Sequence, residues 1–273
     1  MSDQQGEVRY PTSLGVSTVE TISLFGHDLS QDLIGRVGFG ELAYRLITLR
    51  EPTAGQAVMF NAVLVALADH GFTPTAIAAR LTWLSAPDAI QGALASGLLG
   101  GGSRFLGVSE DTGRFLNEAL ANVGGELPTD DAGWDSLATE AIERRRAAGG
   151  FVPGLGHHLH KTGDPRVLRL LQLAHENDTF GPRLELFAAV GRVAPGVLGK
   201  QLPLNGAGAC GAVLADLGIP QEMLRGVVLL ARCAGLLGHL AEEMRNPIAS
   251  QIFNHVEQSA QFQPIGDTQA EHP

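Results

Sequence analysis

The sequence predicts an all-α protein, and three observations carry that prediction. Apolar residues recur at spacings of three and four along most of the chain. Proline, threonine and acidic residues stand where such stretches begin, and clear period-2 alternation is scarce. With 273 residues, 44% of them apolar, the chain is long enough to bury a sizeable core without staples.

The elements follow in order. Residues 1–20 lack an apolar period and read as an N-terminal arm, and residues 263–273 read as a tail. GELAYRLITLREPT (40–53) reads as a short helix stopped by Pro52, and AGQAVMFNAVLVALADHG (54–71) as a second one stopped by Gly71. TPTAIAARLTWL (73–84) places Thr73 as cap and Pro74 in the first turn, and APDAIQGALASGLL (86–99) is expected to use Pro87 in the same way. The glycines at 100–102 break the chain. Helices are then expected over 109–123, 130–150, 164–177 and 183–194, after PLNG (203–206), from Pro220 to about Met244, and from Pro247 to about Phe262. Gly208, Gly211, Gly226, Gly235 and Gly238 sit inside apolar helices, where each costs up to about 1 kcal/mol relative to alanine. Close helix approach, in a buried hairpin or a homodimer interface, would explain them.

Composition excludes several classes of function. A net charge of −10 argues against nucleic acid, and the basic run Arg144-Arg145-Arg146 reads as a solvated helix face. No uninterrupted apolar run reaches the roughly twenty residues of a membrane span, and MSDQQGEVRYPTS lacks a signal-peptide pattern, so a cytoplasmic protein without membrane contact is expected. Cys210 and Cys233 form no metal or redox motif and read as inert buried thiols. Lys161 and Lys200 are the only lysines among nineteen basic residues. The arginine bias suits fork-shaped recognition of carboxylate or phosphate.

The densest chemistry lies in GLGHHLHKTGDPR (154–166). Adjacent histidines on one short segment seldom converge on one ion, and neither an HExxH nor a cysteine quartet is present, so no metal or prosthetic group is expected. The phosphate-loop spacing is absent too. Asp164-Pro165 reads as a helix start, which fixes where Arg166 points and leaves titratable imidazoles on the preceding loop.

This stretch resembles the G-H-R-V-x-K-x-x-D-P-R signature of the citrate synthase family, which includes citryl-CoA lyases and the lyase domain of ATP-citrate lyase. Five further segments resemble family motifs in the same order: 26–53, LADHG (67–71), ASGLLGGGSRFLG (95–107), LPLNGAGACGAVLADLGIP (202–220) and LARCAGLLGHLAEEM (230–244). The segment 95–107 is nearer to the lyases than to the synthases. The resemblance implies a large helical domain (21–104 and 208–262), a small one (105–207) and an active site between them. It implies a coenzyme A thioester and a keto or hydroxy acid as small-molecule substrates, and a homodimer. Lyase cleavage of citryl-CoA or a related hydroxyacyl-CoA is the first expectation. Condensation of acetyl-CoA, or of a malonyl-type thioester by decarboxylation, with a keto acid is the second, and a CoA-ester binder without turnover the third.

Carried over by motif, His157 acts at the keto-acid carbonyl and His70 contacts the keto acid. Arg166, Arg232 and Arg245 hold carboxylates, and Asn205 lines the substrate site. Such chemistry needs an imidazole at the carbinol oxygen, donors for the thioester enolate and arginine forks for register. His239 matches a recurrent helix histidine and equally suits a satisfied core imidazole. The chain departs from the family at Ala207, where an aspartate should take the α-proton, at Gly100, where the synthases have histidine, and at Ser103, where the lyases have aspartate. His158 and His160 are also its own, and His158 is the candidate to supply the missing proton transfer.

Overall fold

The computed structural model of the protein describes residues 9–156 and 163–264. Apart from one small sheet it is all-α, as the sequence predicts. In chain order the helices are α1 (Phe39–Thr48), α2 (Ala54–Ala68), α3 (Pro74–Ser85), α4 (Ile90–Leu99), α5 (Ser103–Leu106), α6 (Val108–Ala121), α7 (Asp131–Ala147), α8 (Pro165–Glu176), α9 (Pro182–Leu198), α10 (Gly206–Asp216), α11 (Leu224–Arg245) and α12 (Ala249–Ser259). Contacts group the chain into two compact units. One joins Leu106–Val228 to the chain up to Leu67, and the other joins Ala68–Phe105 to the chain from Leu229 onward. These units group the chain differently from the lobes implied by the resemblance: α10 packs on α6, α8 and α9 and stays with them.

In the first unit, the expected arm contains order. β1 (Gly15–Ser17) pairs antiparallel with β2 (Ile22–Leu24), which pairs with β3 (His27–Asp28). Thr18 closes the first turn, its Oγ accepting from the N–H groups of Glu20 (3.3 Å) and Thr21 (3.0 Å). Strands of two or three residues are too short to show an alternation. At the start of α2, Gln56 N–H donates to Thr53 Oγ1 (3.2 Å) and Thr53 N–H to Gln56 Oε1 (3.0 Å), a reciprocal capping box. α9 runs through Pro195 to Leu198, past its expected end at residue 194. Pro195 has no N–H to donate to the Gly191 carbonyl, and its ring crowds that carbonyl, so the helix continues there at a cost.

α10 is the buried centre of this unit, with every residue from Gly208 to Ala215 inside. A Cβ at Gly208 would lie 2.5 Å from the Cα of Gly154 and 3.0 Å from the Phe187 ring, and one at Gly211 would strike the carbonyl of Ser109. Close approach within the chain therefore accounts for these two glycines. Asp216, at the end of α10, accepts from the N–H groups of Arg183 (3.0 Å) and Leu184 (2.9 Å) and so caps α9 from across space. Burial pushes its carboxyl up to about 6, against the pull of those bonds and of Arg183. The folded value lies above the unfolded one, so the native state holds the extra proton between about pH 4 and 6 and stability from this group falls as pH rises through that window. Asp216→Asn is expected to flatten the decline by about 2–3 kcal/mol. Urea melts at pH 4 and 6.5 check this, and equal pH slopes in the two proteins would refute it.

In the second unit, Thr73 accepts from Ala76 N–H at the start of α3, as expected. α4 begins at Ile90, later than the expected start, and Pro87 lies in the turn before it. A residue preceding proline is kept out of the helical region, and Ala86 and Ala89 both adopt non-helical angles. α3, α4 and α11 meet at Ala76, Ala79, Ala93, Leu236 and Leu240, with Trp83, Leu94 and Leu98 around them. By length and composition the segment Gln221–Arg245 could cross a membrane, in contrast to the expectation that no stretch reaches that length. The face of α11 that carries Leu236 and Leu240 also carries Glu243, hydrogen-bonded to Arg80 of α3, so this part of the helix packs as a core element.

α11 also passes against the end of α2. A Cβ at Gly235 would collide with the Ala68 carbonyl oxygen and lie 2.8 Å from its carbon, leaving room for hydrogen alone. Gly238, by contrast, has open space around it. Gly235→Ala is expected to cost about 1–3 kcal/mol by overpacking, whereas Gly238→Ala is neutral or stabilising. Thermal unfolding of both variants tests the contrast, and equal melting temperatures would contradict it.

Candidate functional site

In the first unit, the site is built where the loop before α8 meets the start of α10. Asp164 caps α8 through Arg166 N–H (3.1 Å) and also receives Arg166 Nε (3.0 Å) and Nη2 (2.7 Å) in a two-pronged pair. The same carboxylate takes the first N–H of α10, from Gly206, at 2.7 Å. Burial alone would raise the Asp164 carboxyl, but the Arg166 guanidinium and these N–H groups hold it far below the usual range. Arg166 in turn is kept charged by Asp164 and donates Nη1 to the Ala66 carbonyl (3.2 Å). Asn205 is engaged at both ends: Oδ1 accepts from Gly208 N–H (2.8 Å), and Nδ2 donates to the Gly156 carbonyl (2.8 Å). Asn205 N–H bonds the Gly154 carbonyl (2.9 Å), so the loop and the helix start are laced together.

Ala207 occupies the second position of α10 and is half-buried; its carbonyl accepts from Ser109 Oγ at 2.7 Å. Behind it Cys210 is fully buried, and burial pushes its thiol up to about 12, which leaves it inert. Cys233 is only partly buried, a correction to the expectation of two buried thiols.

In the second unit, His70 follows the end of α2 and is half-buried. Its neighbour Asp69 accepts from Gly71 N–H at 2.9 Å and lies 2.9 Å from His239 Nε2. Burial would raise the Asp69 carboxyl, but these bonds and the His70 N–H lower it overall. His239 Nδ1 receives Arg80 Nε (3.2 Å) and Nη2 (3.0 Å). Arg80 is fully buried; its Nη1 pairs with Glu243 at 2.8 Å and its Nη2 with Glu242. Glu243 also caps α12 through Ile248 N–H (3.0 Å) and Ala249 N–H (2.9 Å).

Several expected residues thus find distinct places. Arg166 and Asn205 come together around Asp164 and Gly206, both already bonded within the protein. Arg232 is buried on α11, seven residues before His239 and so on the same helix face. Arg245 is exposed in the last turn of α11. His157, His158, His160 and Lys161 lie outside the described residues. Sequence reasoning did not single out Asp69, Arg80 or Glu243. The signal available was an arginine inside an otherwise apolar helix, which requires a partner.

A separate cleft in the first unit, of about 210 Å³, is lined by His27, Asp32, Glu41, Arg45 and Glu51 among others. Its charges have local work: Asp32 accepts from Asp28 N–H, Glu41 from Gly38 N–H, and Arg45 pairs with Glu51.

A family profile described as "Citrate synthase, C-terminal domain" matches residues 16–253. The chain belongs to the citrate synthase family. Among solved members, it superposes on citryl-CoA lyase from Hydrogenobacter thermophilus with a TM-score of 0.81 and 26% identity, over 97% of each chain. ATP citrate lyase from Methanosaeta concilii, an aspartate-to-alanine variant in complex with (3S)-citryl-CoA, gives 0.75 and 26%, over 96% of this chain and 43% of that one. ATP-citrate synthase beta chain protein 1 of Oryza sativa subsp. japonica is 27% identical over 92% of this chain and 42% of its own length. The chain therefore spans less than half the length of the ATP-citrate synthase family members it matches.

Proposed function

We propose that this family member is a carbon–carbon lyase that cleaves citryl-CoA, or a related hydroxyacyl-CoA, to acetyl-CoA and a keto acid. The observation that carries the reading is the end-to-end likeness to a citryl-CoA lyase, set beside partial likeness to much longer relatives. The citryl-CoA held by one neighbour supports a coenzyme A thioester as substrate. In this reading an imidazole, assigned to His157, takes the carbinol proton. The bond between the carbinol carbon and the thioester α-carbon then breaks, its electron pair moving onto the thioester as an enolate while the ketone forms. The α-carbon finally takes a proton, assigned to His158, and acetyl-CoA leaves. His70 contacts the keto acid, and Arg166, Arg232 and Arg245 orient carboxylates. A cytoplasmic homodimer belongs to the same reading.

Ala207 favours a second reading, because alanine has no acid–base chemistry at a position where the family resemblance implies aspartate. The chain would then bind a CoA ester without turning it over, or form its enolate by decarboxylating a malonyl-type thioester before condensation. One experiment separates these. The protein is incubated with citryl-CoA, and separately with acetyl-CoA or malonyl-CoA plus oxaloacetate, and the thioesters and free CoA are followed by mass spectrometry. Acetyl-CoA and oxaloacetate in equal amounts from citryl-CoA are expected. Citryl-CoA bound but unchanged would overturn the lyase reading, and citryl-CoA made only from malonyl-CoA would replace it with the decarboxylative one.

A further inference from the structure

Three hydrogen-bonded groups next to His70 have no part in the reaction described above. Arg80 Nε can only donate, so the His239 Nδ1 it meets must offer its lone pair. The imidazole proton is then on Nε2, directed at Asp69 Oδ1 2.9 Å away. The Asp69 carboxylate, on the residue before His70, in turn takes the N–H group of Gly71, the residue just after it, at 2.9 Å. The backbone on both sides of His70 is thereby tied to one carboxylate, and that carboxylate is tied through an imidazole to a buried cation.

The buried end is rigid for clear reasons. Arg80 is fully buried and pairs with Glu243, which is itself buried and fixed by two backbone N–H groups at the start of α12. Phe72 lies over both partners, with its ring centroid 5.1 Å from the guanidinium carbon and 5.7 Å from the His239 ring centroid. Gly235 lets α11 come close enough to the end of α2 for the chain of bonds to span the gap. A satisfied core imidazole needs only some partner, whereas this one is held in a single tautomer with its donor aimed at the residue preceding His70.

We propose that Arg80, His239 and Asp69 form a positioning relay that fixes the orientation of His70 for its contact with the keto acid. The inference rests on the reading of His70 given above. None of the three touches substrate; each acts through the next.

The test uses the full chain with His239→Asn, His239→Gln and Asp69→Ala. Asparagine keeps an acceptor for Arg80 but is too short to reach Asp69, whereas glutamine carries an N–H to the Nε2 position. Citryl-CoA cleavage is expected to fall about 10- to 100-fold in kcat for His239→Asn and Asp69→Ala, with KM little changed, and to recover in His239→Gln. The amide of Gly71 is expected to exchange with solvent about tenfold faster in the two impaired variants, read by NMR. Asp69 is half-exposed, so its variant keeps the fold if burial of His239 does not tolerate asparagine. Wild-type kcat and wild-type amide exchange in Asp69→Ala would overturn the relay. So would equal losses in the asparagine and glutamine variants together with unchanged exchange. If the wild type itself leaves citryl-CoA intact, the lyase reading fails on its own. The exchange rates, with the His70 imidazole resonances, then decide the relay, and unchanged values in Asp69→Ala overturn it.

Discussion

Ala207→Asp is expected to raise the rate at which acetyl-CoA exchanges its methyl protons with deuterated water by about 10²- to 10⁴-fold, the usual worth of a positioned acid–base group. The second position of α10 is suited to receive a carboxylate. It lies in the first turn, where the helix field favours negative charge, it is half-buried, and its backbone is fixed by the bond from Ser109 Oγ. The fold should tolerate the change, with stability altered by less than about 1 kcal/mol. Mass spectrometry of the recovered thioester gives the exchange rate directly. An unchanged rate in a protein that still binds acetyl-CoA would mean that the thioester methyl does not sit over the start of α10, and the carried-over geometry would fall with it.

Asp164→Ala is expected to destabilise the protein by about 3–5 kcal/mol at pH 7, because it leaves the Arg166 guanidinium and the Gly206 N–H without their buried partner. At roughly 2–4 °C per kcal/mol, the melting temperature should fall by about 10 °C. The pH dependence gives the sharper check. The folded Asp164 carboxyl is held below its unfolded value, so its stabilisation is present above about pH 4 and lost as pH falls through the folded value. Wild type and variant should therefore converge in acid. This is the opposite slope from Asp216, whose carboxyl is raised, and the two variants measured side by side separate the effects. A stability gap that stayed constant down to pH 2 would show that the carboxylate charge is not what holds Arg166 and α10 together.

How much of the site could be read beforehand differs from residue to residue. Asp164-Pro165 announces a helix start because a cap and a first-turn proline are local signals. That the same carboxylate also takes the first N–H of α10 depends on a segment about forty residues away, and no local pattern encodes it. Arg166 could be selected by motif, but not the fact that the Nε–Nη2 edge of its guanidinium is already taken by Asp164. Arg80 was legible only as an anomaly, a charge on an apolar helix, and its partners come from α11 more than 150 residues later. Pro87 misleads for the same reason that Pro74 informs: proline is compatible with a first turn but does not enforce one.

By itself the sequence determined the helical class, most helix limits and the family. These follow from spacing, caps and ordered motifs, which are properties of neighbours along the chain. Tertiary structure alone decided that Gly208, Gly211 and Gly235 are contact points within the chain, that Asp164 bridges a loop to a helix, and that His239 faces Asp69 in one tautomer. The physical reason is that a buried donor or charge takes whichever partner packing brings within about 3 Å, and packing joins residues that the sequence keeps far apart.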